Sequence, residues 1–230
     1  MSIAESLTAV RERIAAACAR GGRDPAGVRI VAVSKTQPAS AVVEAIAAGA
    51  DAIGENRVQE AASKRPVVSA ATPWHLIGPL QRNKAKLALE VFDVIETVDR
   101  PELADRLEGL LAPVGRTLPV LVEVNVGGET QKTGVAPGDA RRLVEHVLAR
   151  TPRLSLRGLM TVPPYDPDPE RSRPAFAALR RLARELEAQL GLDPLELSMG
   201  MSEDFEVAVE EGATIVRLGR VLFGERRSTP

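Results

Sequence analysis

The sequence predicts a single (β/α)8 barrel. Short apolar or β-branched runs alternate with stretches of helical spacing, giving eight strand candidates, each followed by a helix candidate. The chain has 230 residues, close to the roughly 250 of one such barrel. No linker divides it, so residues 1–230 read as one domain, with residues 1–22 as an N-terminal helix packed on the barrel. The alternative that uses the same alternation is a doubly wound open sheet.

Ser2 and Glu5 have capping-box spacing, and Leu7, Val10, Ile14 and Cys18 follow at helical intervals until Gly21 and Gly22 stop the helix. Residues 28–34 are mostly β-branched or small and read as a strand buried on both faces, closed by Lys35. Pro38 then suits the first turn of a helix over residues 40–46. The second strand, 51–54, runs into Glu55-Asn56-Arg57 and a helix over 58–64. The third is 74–77, with a helix beginning at Gln81, and residues 91–96 contain the fourth, followed by a helix over 101–111. The fifth, 119–125, leads through a Gly-rich loop to a helix over 139–150. The sixth, 154–160, is followed by a proline-rich stretch, 161–174, and a long helix over 174–190. The seventh, 195–198, precedes a helix over 205–211, and the eighth, 214–217, precedes a short helix near 221–223. An internal echo supports the alternation: at Gly49 and again at Gly212 a helix stops at glycine and a strand starts at once.

Hydrophobic residues make up 44% and charged residues 27%, enough for a sizeable core in a soluble protein. Aromatics are only 3%, so that core is built of Ala, Leu, Val and Ile. The 30 basic and 31 acidic residues argue against a nucleic-acid surface made by excess charge. Cys18 is the only cysteine, which precludes an intrachain disulfide and points to a reducing compartment. No run of 18 apolar residues suggests a membrane span, and the N-terminus, with Glu5 and Glu12, does not read as a signal or transit peptide. The cytoplasm is the expected location.

In a barrel the strand ends share one face, where the chemistry lies. Lys35, Glu55-Asn56-Arg57, residues 75–79, 125–128, 198–202 and 217–220 fall there. A lysine so placed can be held neutral by desolvation and act as a Schiff-base nucleophile; it can equally snorkel to solvent. Ser198 to Ser202 after the seventh strand and Leu218-Gly219-Arg220 after the eighth read as a phosphate site, because hydroxyls, glycines and helix starts lie at the two loops that often bind phosphate in barrels. Ordinary capping by Ser202, with Glu203 and Asp204 meeting the helix dipole, is the plain alternative. Residues 127–134 are glycine-rich but lack the Gly-Lys-Ser/Thr ending of a phosphate loop. His75 and His146 are too far apart to suggest a metal site; His146 reads as a mid-helix surface residue and His75 as a packed imidazole or a ligand contact. An amine and a phosphate cradle on one face imply a phosphorylated aldehyde. Pyridoxal 5′-phosphate (PLP) and the sugar-phosphate substrate of a Schiff-base aldolase both qualify.

The chain resembles the pyridoxal phosphate homeostasis protein family. The matching segments are 31–36 (VAVSKT), 54–60 (GENRVQE), 74–84 (WHLIGPLQRNK), 122–125, 132–134, 156–160, 197–204 (LSMGMSED), 217–219 and 222–224. The resemblance implies a barrel like the N-terminal domain of alanine racemase, the fold-type III group of PLP proteins. It implies an internal aldimine on Lys35, phosphate contacts from Ser202, Gly219 and Arg220 and also Ser198, Arg217 beside the pyridine nitrogen, and Asn56 near the ring. Gln37 stands where many members have a second lysine, and Arg220 where others often have Thr or Ser. The family is thought to hold and deliver PLP and to balance vitamin B6 pools, with apo PLP-dependent enzymes as recipients.

A guanidinium at the pyridine nitrogen keeps that nitrogen unprotonated and makes the ring a poorer electron sink. Alanine racemase tolerates this but takes a tyrosine from a further domain of a partner subunit, and the chain ends soon after its eighth strand. Its only tyrosine is Tyr165, in the proline-rich stretch. The expectation is therefore a monomeric PLP carrier without robust catalysis, the alternatives being an amino-acid racemase or lyase using Lys35 alone and an aldolase without PLP.

Overall fold

The structure is a computed structural model that describes residues 1–68, 71–129 and 132–224. Eight parallel strands pair in chain order and close into a barrel. They are β1 (Arg29–Val33), β2 (Ala52–Glu55), β3 (Trp74–Leu76), β4 (Val94–Val98), β5 (Leu118–Glu123), β6 (Leu154–Met160), β7 (Glu196–Ser198) and β8 (Ile215–Leu218). Closure is made by β1 on β8, with Val31 opposite Arg217 and Ala32 opposite Leu218.

Alternation along the strands sorts the apolar side chains into two sets. Val31, Ala52, Leu121, Met160 and Ile215 meet in the lumen, with Val94 and Val162 against them. The opposite parity, including Ile30, Ala32, Ile53, Val120 and Val216, packs outward under the helices in one large cluster. Val33 continues the parity of Val31, and the chain leaves β1 there for the turn that carries Lys35 at the barrel mouth.

The outer layer consists of α1 (Ile3–Arg20), α2 (Ala39–Ala47), α3 (Val58–Lys64), α4 (Ala85–Val91), α5 (Pro101–Leu111), α6 (Pro137–Arg150), α7 (Arg173–Leu190), α8 (Phe205–Glu210) and α9 (Arg220–Phe223). The helix after β8 is a single turn, too short to cover its strand. α1 takes that place and packs against α8, α9 and α2. Its capping box forms as expected: Ser2 Oγ accepts from Glu5 N and Glu5 Oε2 accepts from Ser2 N. Its apolar stripe of Leu7, Val10, Ile14, Ala17 and Cys18 is buried, and Arg13 and Arg20 pair with Glu206 and Glu210 of α8.

Several boundaries shift by a residue or two from the sequence reading, and three of the differences have a clear local cause. Val91 ends α4 and β4 begins only at Val94, because Phe92 turns the chain out of the helix and Asp93 N bonds Trp74 O to start the next ladder. The apolar run over 91–95 thus joins the end of one element to the beginning of another. Lys35 lies two residues beyond β1, in a tight turn closed by Gln37 N on Ser34 O at 2.9 Å. The helix after β3 starts at Ala85, behind one 3-10 turn over Arg82–Lys84. Gly49 and Gly212, the two halves of the internal echo, have φ of 94° and 105°, a left-handed stop available to glycine at little cost. Among the described residues no helix is long and apolar enough to cross a membrane.

Candidate functional site

A cavity of ≈ 550 Å³ opens at the carboxyl ends of the strands. Lys35, Asn56, Ser202, Arg217, Gly219 and Arg220 all lie on its wall, together with Gln37, Glu203, Tyr165 and the apolar side chains of Val33, Ile77, Val162, Met201 and Phe223. Six of the seven residues singled out in the sequence therefore converge on one space. Lys35 enters it from a turn whose next residue, Thr36, has φ of 66°. That conformation is costly for a β-branched residue and persists only where surrounding contacts impose it.

Ser198 is the seventh, and it is absent from the cavity wall. It is fully buried, donates from Oγ to Glu96 Oε2 at 2.5 Å and accepts from the Arg217 guanidinium at 2.7 Å. Its hydroxyl is engaged below the cavity floor, apart from the six residues on the wall. The second terminal nitrogen of Arg217 donates to Thr161 O at 2.7 Å, and Glu96 Oε1 bonds His75 Nδ1 at 2.5 Å. His75, Glu96, Ser198 and Arg217 thus form a buried polar layer over the apolar lumen, ending in the guanidinium that reaches the cavity. His75 is a packed imidazole, 4% exposed, and His146 pairs on the outside with Asp105.

The charges of this layer are mutually adjusted. Burial pushes the Glu96 carboxyl up, but the His75 hydrogen bond and the charges of His75 and Arg217 outweigh it and hold Glu96 below the usual carboxylate range. Burial pulls Arg217 down, against the opposing pull of Glu96, Glu123 and Asp204. Burial raises Glu123, whose Oε1 accepts from Thr133 while its buried Oε2 has no hydrogen-bond partner among the described residues.

At the rim, Asp204 stands at the N-cap of α8, accepting from Met201 N and from Ser172 Oγ. Ser202 is therefore not spent on capping that helix; its hydroxyl accepts a 3.3 Å bond from Val221 N and draws the β7 loop onto the β8 loop. Arg220 and Glu203 pair at 2.6 Å across the same two loops. Two glycines allow close approach: a Cβ on Gly78 would lie 2.3 Å from Asn56 O, and one on Gly200, whose φ is 94°, would lie 2.6 Å from Ala208 Cβ. An amine, a hydroxyl, a fixed guanidinium and the start of a helical turn around one cavity suit an anionic carbonyl compound. Among the described residues no cluster of three His, Cys, Asp or Glu could hold a metal ion.

The sequence reading missed Lys64, Glu96 and Glu123. Glu96 and Glu123 were detectable as charges two residues after lumen-facing Val94 and Leu121. The proline-rich stretch does lie over the site, through Val162 and Tyr165. In the Gly-rich stretch rejected as a phosphate loop, Thr130 and Gln131 fall outside the described residues.

Residues 6–227 match the family of the alanine racemase N-terminal domain. The chain is 44% identical over 228 residues to the pyridoxal phosphate homeostasis protein of Aquifex aeolicus, covering 99% of this chain and 100% of that one. It is 47% identical over 228 residues to the protein of that name from Pseudomonas aeruginosa, covering 98% and 96%. Among solved structures, PipY of Synechococcus elongatus with PLP bound superposes with a TM-score of 0.84 at 38% identity, over 97% of this chain and 100% of PipY. An alanine racemase of Clostridium difficile shares the fold, with a TM-score of 0.76 at 15% identity over 99% of this chain and 57% of that one.

Proposed function

The chain belongs to the pyridoxal phosphate homeostasis proteins, within the alanine racemase N-terminal domain family, and from that premise we propose that it binds PLP at the barrel mouth and keeps it available to other proteins of the cytoplasm. PLP supplies an aldehyde that condenses reversibly with an amine. The observation that carries the reading is Lys35: among the described residues it is the one lysine on the cavity wall, and a strained turn holds it there.

The surrounding residues fit the rest of the group. The hydroxyl of Ser202 and the backbone N–H groups at Gly219 and Arg220 would hold the phosphate, where the β7 and β8 loops meet. Arg217 would offer its donors to the ring nitrogen and Asn56 would lie near the ring, both being on the cavity wall. Ile77, Val162 and Met201 keep water from the ring face. Ser198 acts one step removed, by fixing Arg217.

The same residues favour holding over turnover. A guanidinium has no proton to surrender near neutrality, so Arg217 offers donors only. Tyr165, the phenol nearest the site, is 68% exposed and is not fixed for proton transfer. Glu203 is engaged by Arg220. An open mouth with no second fixed acid or base among the described residues suits release to an apo PLP-dependent enzyme, and we expect a monomer.

The test is the visible absorption of the purified protein and of Lys35→Ala, each mixed with PLP and desalted. A band retained only with Lys35 supports the reading. A band in neither protein removes it and favours a Schiff-base aldolase, which borohydride trapping of a sugar phosphate on Lys35 would reveal. Amino-acid racemisation above that of free PLP, lost in Tyr165→Phe, would overturn the carrier role.

A further inference from the structure

Beneath the turn that carries Lys35 lies a second lysine, outside the cavity, that the proposed function does not use. Lys64 is on α3 and its side chain is 8% exposed. An ammonium has three donors, and all three of Lys64 are spoken for at 2.7 Å: by Ser34 O, Glu55 Oε1 and Glu60 Oε1. Its partners bind the turn again. Glu55 Oε1 accepts from Ser34 Oγ at 2.6 Å, and Glu60 Oε1 accepts from Thr36 N at 2.5 Å. Both neighbours of Lys35 in the chain, Ser34 and Thr36, are thereby tied to one buried ammonium.

We propose that Lys64, acting through Glu55 and Glu60, is the positioning residue for Lys35: it fixes the backbone on both sides of that lysine and so sets where its amine meets an aldehyde bound in the cavity. The inference rests on the proposed function of Lys35. Three observations carry it. The bonds converge on the two residues flanking Lys35. Thr36 is held at φ 66°, a state that a β-branched residue does not keep without restraint. The arrangement is also poor as a device for stability, since a buried ion cluster often contributes less than apolar residues of the same volume. Burial pushes the Glu55 carboxyl up despite the Lys64 and Ser34 hydrogen bonds, and its buried Oε2 has no hydrogen-bond partner among the described residues.

The step affected is a condensation. The Lys35 amine attacks the aldehyde carbon, a C=N bond forms, the carbonyl oxygen leaves as water, and no electrons are transferred. Positioning governs the rate of that step and leaves phosphate and ring contacts intact. PLP and pyridoxine 5′-phosphate separate the two, because the second has the phosphate and ring but an alcohol in place of the aldehyde.

Glu60→Ala and Lys64→Met are each compared with the intact protein for three quantities: the rate of covalent linkage to PLP, the affinity for pyridoxine 5′-phosphate, and hydrogen exchange of the Thr36 amide without ligand. Misplacement of a reacting group by about 1 Å costs on the order of 100-fold. The expected result is linkage slowed by about 10- to 100-fold, unchanged pyridoxine phosphate affinity, and faster Thr36 exchange. Lys64→Arg, which keeps the charge and donors, is expected to recover part of the rate. Linkage at the wild-type rate in folded Glu60→Ala overturns the proposal. So does an equal loss for both ligands, which marks a general structural defect. Glu60 is half-buried, with a side chain 24% exposed, so its variant decides the matter even if Lys64→Met fails to fold. Lys35→Ala runs alongside. If it links PLP as fast as the intact protein, the reading of Lys35 itself has failed, a result distinct from either outcome for Lys64.

Discussion

Replacing Glu96 tests whether the buried polar layer is a unit. Its carboxylate accepts from Ser198 and bonds His75, and its charge helps balance an Arg217 that is 3% exposed. Glu96→Ala leaves that guanidinium buried with less negative charge around it and strips Ser198 of its acceptor. Removing one partner of a buried charge network costs about 3–5 kcal/mol. At about 2–4 °C per kcal/mol for a chain of this size, the melting temperature should fall by roughly 6–20 °C. Glu96→Gln keeps the shape and one acceptor oxygen, so it should cost less, about 1–3 kcal/mol. Chemical denaturation of both variants, with the slope of the transition checked for constancy, gives the two values. The pH dependence adds a sign. Because the folded protein holds Glu96 below its ordinary 4.5, its charged form contributes stability above that pH, and this is lost as pH falls through the lower folded value. The gap between wild type and Glu96→Gln should therefore close on acidification below 4.5. Losses under about 1 kcal/mol for both variants, or a gap that widens in acid, would refute the reasoning.

Glu123 should behave in the opposite sense. Burial raises it, so its contribution is favourable below 4.5 and is lost as pH rises through the higher folded value; Glu123→Gln is expected to gain stability relative to wild type as pH increases, read by urea melts at two pH values. Gly78→Ala places a methyl 2.3 Å from Asn56 O, so it should cost about 1–3 kcal/mol by overpacking and weaken PLP retention through Asn56; unaltered melting and retention would contradict this. Ile14→Ala on α1 removes a side chain that is 3% exposed and should cost about 2–5 kcal/mol, measured by denaturant titration.

Much of the fold was legible because each element carries its own punctuation. Gly21-Gly22, Gly49 and Gly212 end helices, and the eight apolar runs correspond to eight strands. The start of β4 within residues 91–96 is not legible for a local reason: Leu89, Val91 and Val94 are apolar whether they end a helix or begin a strand, and periodicity cannot separate them over so short a run. On the wall of the site, Lys35, Asn56, Ser202, Arg217, Gly219 and Arg220 were legible because strand ends of a barrel share a face. The layer beneath was not. Lys64 lies 29 positions from Lys35 in the sequence, and only the packing of α3 on β2 brings it under Ser34. The bond that draws Ser198 into this layer is equally hidden, because a hydroxyl at a strand end has two directions available, and its partner Glu96 lies across the lumen on β4.

The placement of α1 bears on how the barrel comes into being. Helix α1 finds α8 and α9 only after the residues through Phe223 have been made, and β1 likewise finds β8 last. Contacts of such long sequence separation form late and slow folding. Until then the apolar stripe from Leu7 to Cys18 has only α2 against it and lacks its main partners, and one edge of the growing sheet is unpaired, the two features that make nascent chains prone to association. Closing the ring also brings Lys35 to Arg217, Gly219 and Arg220. The cavity therefore comes into existence in the same event that seals the barrel, and a partly made chain has nowhere to seat its ligand.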